Sequence, residues 1–201
     1  MPPYKLERPK RAELKLLKEI TEYLQNIKNF PKKDPKKGHG RRHHIGHKNI
    51  ITEEFILGKV RDFRFSHLVN GKWNRKHKKL LQLLKKVMRI HNPKFKWNQA
   101  QINKSINTVW HYNKANVYDS YAIGLGDFTG GGIDLNINGK IITIDNRNKW
   151  LRFNGSKVEH RTNTNYKGTR FAIILYRHAG GKKKKAAPKR KRTVKKRGLF
   201  F

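Results

Sequence analysis

The 201-residue sequence predicts an α+β protein, with helices first, an all-β core of sandwich or barrel type after them, and strongly basic extensions. Two stretches with apolar residues at spacings of three and four, at 12–29 and 77–91, predict the helices. From Phe95 onward the pattern changes to short apolar or alternating runs broken by Gly, Asn and Asp, which predicts strands joined by turns. A formal net charge of +36, from 49 Lys and Arg against 13 Asp and Glu, exceeds anything solubility requires and calls for a polyanion.

Taken in order, residues 12–29 (AELKLLKEITEYLQNIKN) place Leu14, Leu17, Ile20, Leu24 and Ile27 on one stripe of an N-terminal helix unit, 1–30. Residues 31–52 combine Pro31, Pro35, Gly38, Gly40 and Gly46 with Lys, Arg and His, and read as a basic linker. The main domain is expected over 53–181. Within it, HKKLLQLLKKVMRIH at 77–91 carries Leu80, Leu84 and Val87 on one face, Leu81 and Met88 beside them, and lysines mostly opposite. The segments QAQINKSINTVW, SYAIGLGDF, GIDLNI, KIITI, KWLRF and TRFAIILY follow as strands, and the Asn-Gly pairs at 138–139 and 154–155 predict hairpin turns. The stripe at 14–27 aside, residues 1–48 and 182–201 hold no extended apolar set, so they are expected to be dispensable for folding of the barrel.

Charge is spread along the chain. Residues 1–54 contribute +7, residues 55–180 contribute +18 and the remainder +11. The tail, 182–201, has no acid and offers Lys182, Lys183, Lys184, Lys185, Lys189, Arg190, Lys191, Arg192, Lys195, Lys196 and Arg197 as phosphate-binding residues. Nucleic acid is the expected partner. No apolar run approaches the roughly 18 to 20 residues of a spanning helix, and the longest, Phe171 to Tyr176, has strand length. The opening MPPYKLERPKR lacks the apolar region of a secretory signal, which suits a place inside a cell, its nucleus or a viral particle. The absence of Cys excludes disulfides and thiolate metal sites. No P-loop, Ser-His-Asp arrangement or paired-carboxylate hydrolase signature is present.

Three separated elements bear on chemistry: His111-Tyr112-Asn113, His160 and Arg170. A non-haem iron(II) oxygenase needs two imidazoles and a carboxylate on one face of the metal, and keeps three positions for an oxo-acid and dioxygen. An Arg pointing into the same barrel then grips the far carboxylate of the oxo-acid. Asn113 stands where the carboxylate belongs. Asp119 and Asp127 lie too far along the chain to join His111 in one tight turn. Hydrogen-bonded barrel histidines and a satisfied strand-end cation are the plainer reading of the same residues. His39, His43, His44 and His47 sit among Lys and Arg that repel cations, so phosphate contact suits them better than metal. Trp73, Trp97, Trp110 and Trp150 divide between core packing and base stacking.

The ordered set KFKWNQAQINKS, HYNKANVYDSYAIGLGDFTGGG, NKWLRFNGSKVEH and YKGTRFAIILY resembles the iron and 2-oxoglutarate dioxygenases of the TET and J-binding-protein class, particularly short forms from algae, fungi and large DNA viruses. The resemblance covers about 55–178, and FILGKVRDF and the helix at 77–91 match that family's lead-in. It implies a double-stranded β-helix, a jelly-roll-like core. It further implies His111 and His160 as iron ligands, Arg170 as the 2-oxoglutarate residue, and a substrate methyl on a base flipped from a duplex, DNA ahead of RNA. The chain departs from the family at the third ligand, Asn113. Two readings follow. One is an Fe(II)- and 2-oxoglutarate-dependent oxygenase of nucleic-acid bases. The other is a metal-impaired barrel that binds nucleic acid, or builds a nucleoprotein particle such as a virion together with other proteins of the assembly.

Overall fold

The computed structural model describes residues 2–37, 45–46, 49–62 and 67–180. The cations of the tail and His39, His43, His44 and His47 lie outside the described residues. Ahead of the barrel come β1 (Tyr4–Glu7), α1 (Arg11–Gln25), the two-residue β2 (Lys32–Lys33), β3 (Thr52–Asp62), β4 (His67–Asn70), a single turn α2 (Trp73–Lys76) and α3 (Lys78–His91). Then follow β5 (Gln99–Lys104), β6 (Asn116–Leu125), β7 (Phe128–Ile137), β8 (Lys140–Ile144), β9 (Trp150–Phe153), β10 (Glu159–Gly168) and β11 (Phe171–His178).

These strands form two sheets. The large one runs β1-β9-β6-β11-β5-β3-β2, with β4 paired to β3, and the small one runs β10-β7-β8. An isolated antiparallel bridge, His111↔His160, ties the segment after β5 to the edge of the small sheet. From β8 onward successive strands alternate between the two sheets, in the manner of the expected double-stranded β-helix. The β7–β8 hairpin turns at Asn138 (φ 52°) and Gly139 (φ 81°), the paired left-handed conformations that an Asn-Gly turn supplies. Asn154-Gly155 does something different. It carries the chain from β9 in the large sheet to β10 in the small one, and Asn154 Oδ1 accepts from the Ser156 amide (3.1 Å) and hydroxyl (2.7 Å), so the pair makes a corner and not a hairpin.

The period-2 alternation of strands splits the core in two. Ala100, Ile102, Tyr121, Ile123, Ile173 and Leu175 face outward from the large sheet and pack on Leu17, Ile20 and Leu24 of α1 and on Leu80, Leu84 and Val87 of α3. Ala122 and Leu151, on the opposite face, meet Leu135, Ile144 and Val158 inside the barrel. Each fully buried Leu or Ile stabilises by roughly 1.5–3 kcal/mol, so α1 is an integral layer.

That corrects two expectations. The described part of residues 1–48 is packed into the fold and not a dispensable addition: α1 covers the large sheet, β1 extends it beside β9, and Lys32 and Lys33 pair with Glu53 and Thr52. The apolar stripe holds at Leu17, Ile20 and Leu24 and fails at its first position. Leu14 is 55 % exposed, while Glu13 is completely buried. The Glu13 carboxylate accepts from Trp150 Nε1 (2.9 Å) and the Lys10 amide (3.0 Å) and meets His91 Nδ1 (3.0 Å). Glu7 Oε2 lies 2.9 Å from the other ring nitrogen of His91, and Lys10 Nζ donates to the last carbonyls of α3, Ile90 at 2.6 Å and His91 at 3.0 Å. A polar clamp therefore joins β1, α1, α3 and β9.

Candidate functional site

His111 and His160 meet because their backbones exchange two hydrogen bonds, His111 N–H to His160 O at 3.0 Å and the reverse at 3.1 Å. Their ring centroids are 4.3 Å apart. His160 is buried, and His111 and Asn113 are half-buried. Each imidazole places Nδ1 against a carbonyl two residues earlier, His111 on Val109 O at 2.7 Å and His160 on Val158 O at 2.9 Å. A carbonyl only accepts, so both rings carry the proton on Nδ1 and the lone pair on Nε2, the tautomer that ligates metals.

Asn113 completes the group. Its backbone N–H donates to Gly155 O at 2.7 Å, which docks the turn against the β9–β10 corner, and its side-chain nitrogen lies 2.9 Å from His160 Nε2. Since that Nε2 is an acceptor, the amide N–H₂ donates to it. The amide thus occupies the lone pair that a metal would take. Gly155 leaves just enough room: a Cβ there would sit 3.3 Å from both Asn113 Nδ2 and His160 Cε1.

This donor set does not fit an iron(II) centre of the expected kind. Two imidazoles and a neutral amide bring no negative charge to a hard dication. Among the described residues no group of three His, Cys, Asp or Glu could hold a metal. Asp119 pairs with Arg152 (2.8 Å), and Asp127 is an exposed turn residue whose carbonyl accepts from Thr169 N–H at 2.7 Å.

Arg170 immediately precedes β11 and is 2 % exposed. Its side chain crosses the barrel from the large sheet to Gly132 O of β7 (Nη2, 3.4 Å), between the rings of Phe128 and Tyr166 at 5.8 and 5.9 Å. Gly132 pairs with Asn163, three residues along β10 from His160, so the guanidinium lies on the inner side of the strand that carries the second His. Its Nε has no hydrogen-bond partner. Burial holds the guanidinium below its ordinary pKa, with Tyr166 opposing. A buried cation with an unsatisfied donor and, among the described residues, no carboxylate paired to it fits an anionic ligand.

Several residues had no sequence signal. Asn146 is 1 % exposed with both amide atoms unpartnered, and it packs beside Gly124, whose added Cβ would lie 3.6 Å from Oδ1. Glu54, 1 % exposed, accepts from Gln101 Nε2 (2.7 Å) and Thr52 Oγ1 (3.0 Å) and pairs with Lys33 at 3.4 Å. Asp134 is pushed up by burial, yet hydrogen bonds from Asn163, Arg161 and Thr143 outweigh this and hold it below the ordinary carboxylate range. Arg161 also stacks on Trp110 at 4.6 Å, beside a cleft of about 750 Å³ lined by Thr108, Trp110, Arg161 and Thr162. Of the four tryptophans, Trp150 is fully buried and Trp73, Trp97 and Trp110 are half-buried.

No family model and no curated protein matches the chain. Solved structures do. NgTET1 in complex with 5mC DNA superposes with a TM-score of 0.57 at 11 % identity, covering 90 % of this chain and 74 % of that one. A 2OG-Fe(II) oxygenase family oxidoreductase from Burkholderia pseudomallei gives 0.56 at 15 % identity, covering 89 % and 86 %. A Trichoplax adhaerens prolyl hydroxylase, in complex with a hypoxia inducible factor oxygen degradation domain peptide fragment, gives 0.53 at 12 % identity, covering 88 % and 83 %. The chain therefore carries the double-stranded β-helix fold of the TET-like and 2-oxoglutarate oxygenase structures to which it is similar.

Proposed function

We propose that this protein is an oxygenase-fold nucleic-acid-binding protein whose metal site is impaired, serving as a binding or structural component of a nucleoprotein particle such as a virion, inside the cell or its nucleus. One observation carries the loss of metal: the Asn113 amide donates 2.9 Å to His160 Nε2, so the site is satisfied by protein atoms where a dication would need charge. The net charge of +36 supports the polyanion partner, and the NgTET1 neighbour, in complex with 5mC DNA, favours DNA.

A second reading keeps oxygenase activity on a nucleic-acid base, with Fe(II) and 2-oxoglutarate as cofactors. The buried Arg170 with its unsatisfied Nε favours it, because such a group suits the far carboxylate of 2-oxoglutarate. Metal analysis of the purified protein, with a 2-oxoglutarate turnover assay in added iron(II), separates the two. Substoichiometric metal with no turnover is expected. Stoichiometric iron and turnover would establish the enzyme.

A further inference from the structure

The sequence contains no Asp or Glu between Asp62 and Asp119, and α3 lies in that interval. Its buried side holds Leu80, Leu83, Leu84, Val87, Met88 and His91. Its outward side presents Lys78, Lys85 and Arg89 at i, i+7 and i+11, flanked by Lys79 and Lys86, and all five are exposed. Among the described residues, only Lys79 of these five has a carboxylate partner, Glu19 at 3.0 Å. At 1.5 Å per residue the stripe from Lys78 to Arg89 is about 16 Å long. Phosphates of one duplex strand recur about every 3.4 Å along the axis, so the stripe spans roughly five of them.

This surface is remote from the histidines. α3 packs on the outward face of the large sheet, whereas His160 lies on β10 of the small sheet across the barrel. An anionic membrane would also attract the cations, but a helix that lies on lipid inserts its apolar face. Here that face is covered by the sheet, with Leu80, Leu84 and Val87 completely buried.

We infer that the exposed side of α3 is a docking surface for the phosphate backbone of duplex nucleic acid, separate from the barrel's histidine site. This rests on the nucleic-acid reading above and locates it on the helical layer. Contact there is sequence-independent and leaves the barrel interior facing away from the bound duplex.

The test uses the full chain and a labelled duplex of random sequence, titrated by fluorescence anisotropy at several salt concentrations. The variant Lys85→Gln, Lys86→Gln, Arg89→Gln is compared with Lys140→Gln, Lys157→Gln, Lys167→Gln, an equal charge change on exposed residues of the barrel side. About 0.9 in the slope of log affinity against log salt is lost per duplex phosphate contact. The helix variant is expected to lose roughly 2 to 3 in that slope and at least about tenfold in affinity at 0.1 M salt, with unchanged melting, while the barrel variant changes little. An unaltered slope in the helix variant overturns the inference, as does an equal or greater loss in the barrel variant. Parent protein that binds phosphatidylserine vesicles in preference to the duplex also overturns it. Failure of the parent to bind duplex at low salt would remove the nucleic-acid reading itself.

Discussion

Asn113→Asp is the perturbation that reads the site most directly. The side chain keeps its volume, so the 2.7 Å backbone bond to Gly155 and the placement against His160 are preserved. What changes is one charge. A unit negative charge a little over 2 Å from a dication gains a gross attraction on the order of 15 kcal/mol at an effective dielectric of about 20. Desolvation takes back several kcal/mol per ion. The remainder still exceeds the roughly 1.4 kcal/mol that corresponds to a tenfold change in affinity. Manganese(II) titrated by calorimetry should therefore bind the Asp form at least about tenfold more tightly than the parent. Without metal, and at an alkaline pH that keeps the imidazole neutral, the sign reverses, because a carboxylate facing the His160 lone pair sets two acceptors against each other where a hydrogen bond stood. In chelator at that pH the variant should melt below the parent, by the equivalent of about 1–3 kcal/mol. Tight manganese binding by the parent would refute the impaired site, and no gain in the Asp form would refute the ligand geometry.

Arg170→Met should leave the melting temperature unchanged or raise it, since it removes a buried cation with an unsatisfied Nε. It should also abolish any binding of 2-oxoglutarate seen by ligand-detected NMR, and a large loss of stability would show that the guanidinium is structural. Glu13→Ala removes the common acceptor of Trp150 and the Lys10 amide and the partner of His91, and should cost about 3–5 kcal/mol in urea unfolding; a cost under about 1 kcal/mol would mean that α1 is peripheral. His77 is held below its ordinary pKa by burial and by Lys76, so the unfolded chain takes up a proton first as pH falls. Its contribution to stability is complete above about pH 6.5 and is lost as pH drops from there towards the folded value. His77→Phe should reduce the slope of melting temperature against pH below 6.5, leaving the part due to His178, which burial and Arg61 also lower; an unchanged slope would count against it.

The helices and the barrel were legible because their signals are local. α3 repeats at three and four, and the Asn138-Gly139 turn joins two alternating strands that pair from Ile137↔Lys140 out to Ile133↔Ile144. Strand β1 was not legible: YKLE has no pattern of its own, and its pairing with Trp150–Phe153 is made across most of the chain. Nothing local in the sequence marks Glu13 for burial. It is buried because Trp150 and His91 supply donors that no local rule can anticipate. At the site, the identity of the third residue and the His spacing were readable, and the structure brings His111, Asn113 and His160 together. The direction of the Asn113 amide was not readable. It depends on the Val158 carbonyl, which sets the His160 tautomer.

The polar groups inside the barrel are satisfied unevenly, and this bears on what the site can bind. Around the histidines the recorded contacts close on themselves: each Nδ1 meets a carbonyl, and His160 Nε2 takes the Asn113 amide. Deeper in, Arg170 Nε and both amide atoms of Asn146 remain unpartnered at 2 % and 1 % exposure. Unsatisfied buried groups of this kind each cost about 1–3 kcal/mol or more. A barrel selected only for packing would replace them, because Met at 170 or Leu at 146 brings no such penalty. The histidine group is thus satisfied by protein atoms, whereas the buried Arg170 keeps a donor for an anion. An impaired metal site, as proposed above, does not entail loss of the oxo-acid, because the unsatisfied donor of Arg170 is independent of the contact between Asn113 and His160.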